Sequence, residues 1–169
     1  MRVLILAADG FEDSELLVPL YRLKEEGVEV EVAGPKQGQT LTGKHGYSVT
    51  TDIAFAQLDA DGYDALVLPG GKAPETVRLD ERAVSATRRM LDAGKPVAAI
   101  CHGAQVLISA SALPGRKATC WVGIRDDLAC AGADYRDEEV IVDGNLITSR
   151  CPSDLPAFCR ELTKALGLA

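Results

Sequence analysis

A cysteine followed at once by a histidine, Cys101-His102, stands where an apolar run ends and a helical one begins. Pro96-Val97-Ala98-Ala99-Ile100 precede the pair, and Gly103-Ala104-Gln105-Val106-Leu107-Ile108 follow it. This order predicts a buried strand, a tight turn holding the thiol, and a helix whose positive end faces that thiol. Such an end favours an anion, so the expected form is a thiolate, the form of cysteine that attacks. The arrangement is that of a nucleophile elbow with Cys in place of Ser. Gly103 and Ala104 supply the small side chains that the strained turn needs.

A nucleophile of this kind needs a base, an acid to orient the base, and donors for the developing oxyanion. His102 is the candidate base, although residues at i and i+1 of a helix do not face each other, so the elbow backbone must bring the two together. No carboxylate lies close in sequence, so the acid must come from another loop or another subunit. Gly70-Gly71 lets backbone N–H groups approach a ligand closely and, with the N–H of His102, makes a candidate oxyanion hole. Glu12 is placed at the same sheet edge. An ionised carboxylate there raises the thiol pKa, so a Glu12 touching Cys101 is expected to be protonated and to donate to the sulfur. His45, beside Lys44 at a hairpin tip, reads as a surface or interface residue. Neither GxGxxG nor GxxxxGK[ST] occurs, so nucleotide binding is not supported.

The elements that must position these groups follow from periodicity. Arg2–Ala8 and Tyr63–Leu68 are apolar without alternation, as are strands buried on both faces of a parallel sheet. Val28–Ala33 alternates with glutamates, which suggests an edge or one wet face. Ser14 is a candidate cap for a helix with Leu16, Leu17, Leu20 and Leu23 on one face, carrying Pro19 and closing at Gly27. Asp80 is a candidate cap for a helix running to Gly94. Leu113-Pro114-Gly115 is expected to end the elbow helix. Gln39–Asp52 and Glu139–Ser149 read as hairpins, the latter around Asp143-Gly144-Asn145. A short helix is expected over Val122–Ala131, and Pro152 opens the last helix. Strands alternating with helices imply an α/β fold, a mostly parallel sheet with helices on both faces. Ligands bind at the carboxyl ends of strands in such folds. The loops Asp9–Asp13, Pro69–Gly71 and Cys101–Gly103 all lie at that edge.

The 169 residues suit one domain, 1–169, with 47% hydrophobic and 25% charged residues. A net charge of −7 disfavours nucleic acid and anionic membranes as partners. No transmembrane run and no signal peptide is expected, which points to the cytoplasm. Five cysteines, an odd number without CxxC, and only two histidines give poor material for a metal site. Free thiols in a reducing compartment are expected, with Cys130 and Cys159 on apolar helix faces in the core.

The chain resembles the PfpI family of the class I glutamine amidotransferase-like superfamily. The matching stretches include Phe11-Glu12-Asp13, Gly43-Lys44-His45-Gly46-Tyr47, Asp64-Ala65-Leu66-Val67-Leu68-Pro69-Gly70-Gly71, Ala73-Pro74-Glu75, Ile100-Cys101-His102-Gly103 and Val142-Asp143-Gly144-Asn145. The resemblance implies a flavodoxin-like three-layer sandwich. It implies Cys101 as nucleophile, His102 as its partner and Glu12 as the acidic contact of the sulfur. It implies that the acid of the triad comes from a neighbouring subunit, at the position matching Glu75. It also implies a homo-oligomer, a dimer or a hexamer built of dimers. The family commonly has tyrosine where Trp121 stands, so a role for a phenolic hydroxyl does not carry over, and a narrower pocket walled by Trp121 is expected. Cys120 beside it is a candidate resolving thiol.

The activity expected first is attack of Cys101 on small reactive carbonyls such as methylglyoxal, or on their protein adducts, without cofactor or metal. An intracellular cysteine peptidase is the second expectation. A stress protein that senses oxidants or binds damaged proteins is the third.

Overall fold

The computed structural model describes residues 1–168. The chain runs β1 (Arg2–Leu6), α1 (Asp13–Glu25), β2 (Glu29–Gly34), β3 (Thr40–Thr42), β4 (Ser48–Thr50), β5 (Ile53–Ala54), β6 (Ala65–Leu68), α2 (Ala73–Val77) and α3 (Glu81–Asp92). It continues with β7 (Val97–Ile100), α4 (Ala104–Ser109), β8 (Lys117–Ala118), α5 (Arg125–Cys130), β9 (Asp134–Tyr135), β10 (Val140–Asp143), β11 (Leu146–Ser149) and α6 (Leu155–Ala165). Seven strands form one sheet in the order β10-β11-β7-β6-β1-β2-β5. All its pairs are parallel except the β10–β11 hairpin. Two groups of helices flank it: α1 packs with α6, and α4 packs with α2 and α3. This is the α/β flavodoxin-like sandwich expected from the sequence.

The central strands β1, β6 and β7 are apolar throughout because both their faces are covered. Val3, Leu4, Ile5, Leu66, Val67, Val97 and Ala98 are all fully buried. Each larger side chain among them contributes about 1.5–3 kcal/mol of transfer free energy. The alternation of β2 has a plain cause. β5 pairs with it only at Ala33 and Gly34, so the segment carrying Glu29 and Glu31 has an open edge.

The helix ends show where local sequence was misleading. Asp80 caps α3 as expected, accepting from the N–H groups of Arg82 and Ala83. At α1 the cap is Glu12, not Ser14: the Glu12 carboxylate accepts from the N–H of Glu15 at 2.9 Å, and the Ser14 hydroxyl donates to the same carboxylate. The elbow helix α4 ends at Ser109, well before Leu113, and Ser111 takes a left-handed φ of 51° in the turn that follows. Cys130 is exposed, contrary to the expected core position, whereas Cys159 is buried. A 3-10 turn over Val122–Ile124 delays the start of α5 and changes the face on which its last residue falls.

No helix among the described residues is long and apolar enough to cross a membrane.

Candidate active site

β1, β6 and β7 are neighbours in the sheet, so the loops at their carboxyl ends must meet. An antiparallel bridge joins Phe11 to Gly71, and the N–H of Glu12 donates to the carbonyl of Gly70 at 3.1 Å. Cys101 follows β7 directly, with a left-handed φ of 60°. That conformation is costly for a residue with a Cβ and marks a constrained turn. Glycine is obligatory next to it. A Cβ at Gly103 would stand 2.1 Å from the carbonyl oxygen of Leu68, and one at Gly71 would stand 2.4 Å from both the Gly10 oxygen and the Glu12 nitrogen. The elbow is therefore wedged against β6 and against the loop after β1.

The sulfur sits among donors. The backbone N–H groups of His102 and Gly71 are close enough to favour a charged sulfur. His102 Nδ1 lies 3.4 Å from Sγ, so the elbow does bring the adjacent pair into contact. Trp121 stacks on the His102 ring, with centroids 6.3 Å apart and planes at 30°, and the Trp121 backbone N–H donates to the Cys101 carbonyl oxygen at 3.3 Å. The indole forms one wall of the site and is partly exposed.

The carboxyl group facing the thiol is Glu15, not Glu12. Glu15 is fully buried in the first turn of α1. Its Oε2 accepts from the Gly70 N–H at 2.8 Å, and its Oε1 is buried without a hydrogen-bond partner. A Cβ on Gly70 would lie 2.4 Å from Glu15 Oε2 and 2.8 Å from Cys101 Cβ, which shows how closely the two side chains approach. Glu12 caps α1 instead, and its Oε1 stands 3.5 Å from His45 Nε2. The sequence held a signal for this. The buried face of α1 is Glu15, Leu16, Pro19, Leu20 and Leu23, so a carboxylate sits on the apolar stripe of the helix. Charge on such a stripe requires a local reason.

Glu15 and Cys101 act on each other. Burial, then the charge of Glu12, push the Glu15 carboxyl up to about 7, against the pull of the Gly70 N–H. Burial, then the charge of Glu15, push the Cys101 thiol up to about 12, against the N–H groups of His102 and Gly71. This corrects the expectation that the helix end alone yields a thiolate. Two anions are strongly disfavoured so close together, so the pair holds one proton between about pH 7 and about pH 12. Burial also lowers the pKa of His102, with Glu75 opposing and Lys44 reinforcing the shift, so the imidazole is neutral near pH 7.

Glu75, on α2, is close enough for its charge to act on His102, yet no hydrogen bond joins the two within the chain among the described residues. The groups together line an open cavity of about 730 Å3, whose wall includes Glu12, Lys44, His45, Lys72, Glu75 and Trp121. Lys44, His45 and Lys72 were not expected there. Among the described residues no group of three or more His, Cys, Asp or Glu is arranged to hold a metal ion.

Residues 1–165 match the DJ-1/PfpI family. The chain belongs to the DJ-1/PfpI family. Among its relatives in that family, a deglycase of Thermococcus kodakarensis is 60% identical over 98% of this chain and 99% of the relative. The deglycase PfpI of Pyrococcus furiosus is 56% identical over 98% of this chain and 99% of its own. Among solved structures, a two-domain protein of Anabaena variabilis with DJ-1/ThiJ/PfpI-like and ferritin-like domains superposes with a TM-score of 0.97 at 42% identity. It covers 99% of this chain, which spans half of that protein.

Proposed function

We propose that this DJ-1/PfpI protein is a cysteine-dependent deglycase that acts on methylglyoxal adducts and on methylglyoxal itself. The observation that carries the reading is the pairing of Cys101 with a buried Glu15 at a strained elbow, open to a cavity of about 730 Å3. The relatives named deglycases support it.

In the single-proton state of the pair the Glu15 carboxyl ionises first, so Glu15 is the base that takes the proton from sulfur as Cys101 attacks. The reacting form is the thiolate beside a protonated Glu15, whose O–H then donates to sulfur. The thiolate adds to the aldehyde carbon, or displaces the amine from the aminocarbinol carbon of an adduct, the amine leaving with the proton held by Glu15. Neutral His102 takes the proton from that carbon and returns one at the neighbouring carbonyl carbon, through an enediol. The result is a lactoyl thioester on Cys101. Water releases lactate and restores the thiol, so one water is consumed and no oxidant or cofactor is required. The N–H groups of Gly71 and His102 hold the oxyanion of the tetrahedral steps. Glu75 of a neighbouring copy orients His102 in a homo-oligomer, because Glu75 does not reach it within one chain.

The test is lactate formation from methylglyoxal by the wild-type protein and by Cys101→Ala. Equal rates overturn the reading.

A further inference from the structure

The cavity holds two cations that the chemistry above does not use. Lys44 lies at the tip of the β3–β4 hairpin and Lys72 immediately precedes α2, and both line the cleft that contains Cys101. Neither makes an ion pair among the described residues. The carboxylates around them are engaged elsewhere. Glu12 is held by Ser14, by the Glu15 N–H and by His45, Glu15 is paired with the thiol, and Glu75 acts on His102.

The lysine backbones are fixed. The Lys44 N–H donates to the Phe11 oxygen at 2.8 Å, and the Lys72 N–H donates to the Gly10 oxygen at 2.8 Å. The two residues therefore flank one short loop, the one that follows β1. Asp13 closes the hairpin tip by accepting the N–H groups of His45 and Tyr47, both at 2.8 Å. Burial pushes the Asp13 carboxyl up, but these N–H groups outweigh it and hold the group below its ordinary range. The Lys44 ammonium is near enough to the reacting groups to oppose protonation of His102 and to ease ionisation of Glu15. Two lysines with anchored backbones and unpaired side chains, lining the same cleft as a nucleophile, are a place for a substrate anion.

We propose that Lys44 and Lys72 form an anion subsite next to Cys101, which selects reactive carbonyls and adducts carrying a carboxylate a few bonds from the carbon under attack. This rests on Cys101 being the nucleophile and adds the substrate class: adducts of acidic peptides and carboxylated thiols or amines are preferred over neutral or cationic ones.

Alkylation of the intact protein by iodoacetate and by iodoacetamide tests this, because the reagents share size and leaving group and differ in charge. Labelling of Cys101 is followed by peptide mass spectrometry. Any change in thiolate population cancels in the ratio of the two rates. The iodoacetate-to-iodoacetamide ratio is expected to fall about three- to tenfold in Lys44→Gln and further when Lys72→Gln is added. Lys44→Arg is expected to keep it, and rising salt to reduce it in the wild type. A ratio that moves less than about twofold in the double variant overturns the subsite. Failure of both reagents to label Cys101 overturns the nucleophile assignment, and the inference falls with it. Turnover supplies the second arm: the wild type is expected to prefer the methylglyoxal hemithioacetal of N-acetylcysteine over that of its amide. A protein with the expected alkylation ratios that turns over neither adduct contradicts the deglycase reading and leaves the subsite supported.

Discussion

Cys101 and Cys120 are both closed to solvent, at 7% and 0% exposure, and burial pushes both thiols up to about 12. Burial alone therefore does not separate a reactive thiol from an inert one. What surrounds each sulfur does. Cys120 donates to the Trp121 carbonyl oxygen at 3.3 Å, and the further influence on its pKa is the charge of Asp127. It has an acceptor and, among the described residues, no hydrogen-bonded acid or base with which to exchange a proton. Cys101 has two N–H donors, an imidazole at 3.4 Å, and a carboxyl whose own pKa is raised to about 7. With Glu15 ionised, the last proton of that pair is held to about 12, but the first leaves near 7. Only at Cys101 does a carboxyl that titrates near neutral pH stand beside the sulfur to take its proton as it reacts.

The comparison is broken most directly by removing each thiol in turn. Cys101→Ala is expected to lower deglycase turnover by about a thousandfold or more, whereas Cys120→Ala leaves it within about twofold. Cys120→Ala is expected instead to cost about 1 kcal/mol in denaturant unfolding, since it leaves a small void in the core. Comparable loss of turnover in the two variants would end the distinction drawn between them.

Glu15→Gln removes the exchangeable proton and keeps the shape. Turnover at pH 7 is expected to fall about 10- to 100-fold. Stability moves the other way. The folded-state pKa of Glu15 is raised from 4.5 to about 7. The unfolded chain therefore releases this proton first, and stability declines as pH rises from 4.5 to about 7. The cost above pH 7 is about 3 kcal/mol. Melting curves of Glu15→Gln and wild type should separate over that interval, with the variant the more stable, and stay parallel beyond it.

The smallest effect belongs to the wall that the two cysteines share. Trp121→Phe keeps a ring against His102 and removes only the indole N–H. The expected change is in KM, by about threefold at most, with kcat nearly preserved.

Much of this site was legible in the residues. Unalternating β1, β6 and β7 fixed a parallel sheet, and Gly70-Gly71 and Cys101-His102-Gly103 then had to share its carboxyl edge. Glu12 and Glu15 were the difficulty. Both stand at the start of α1, three residues apart, and which one turns inward depends on the path of the loop. Glu12 has an extended backbone and caps the helix, which leaves Glu15 as the first residue of the buried face. Lys44 and Lys72 were missed for a different reason. Nothing local tells a hairpin tip that its backbone will be tied to Phe11, or a five-residue helix start that it will be tied to Gly10. Such placements follow from contacts between segments far apart in the chain.

The central claim is that Cys101 shares one proton with Glu15. The direct measurement is the pH dependence of thiolate ultraviolet absorbance, taken as the difference between wild type and Cys101→Ser and repeated in the Glu15→Gln background. The account predicts a wild-type thiolate midpoint well above neutral pH, where the second proton leaves the pair, that moves down by more than about one unit in Glu15→Gln, because the charge of Glu15 holds that proton on sulfur. A Cys101 thiol that titrates at the same pH with and without the Glu15 carboxyl would contradict it.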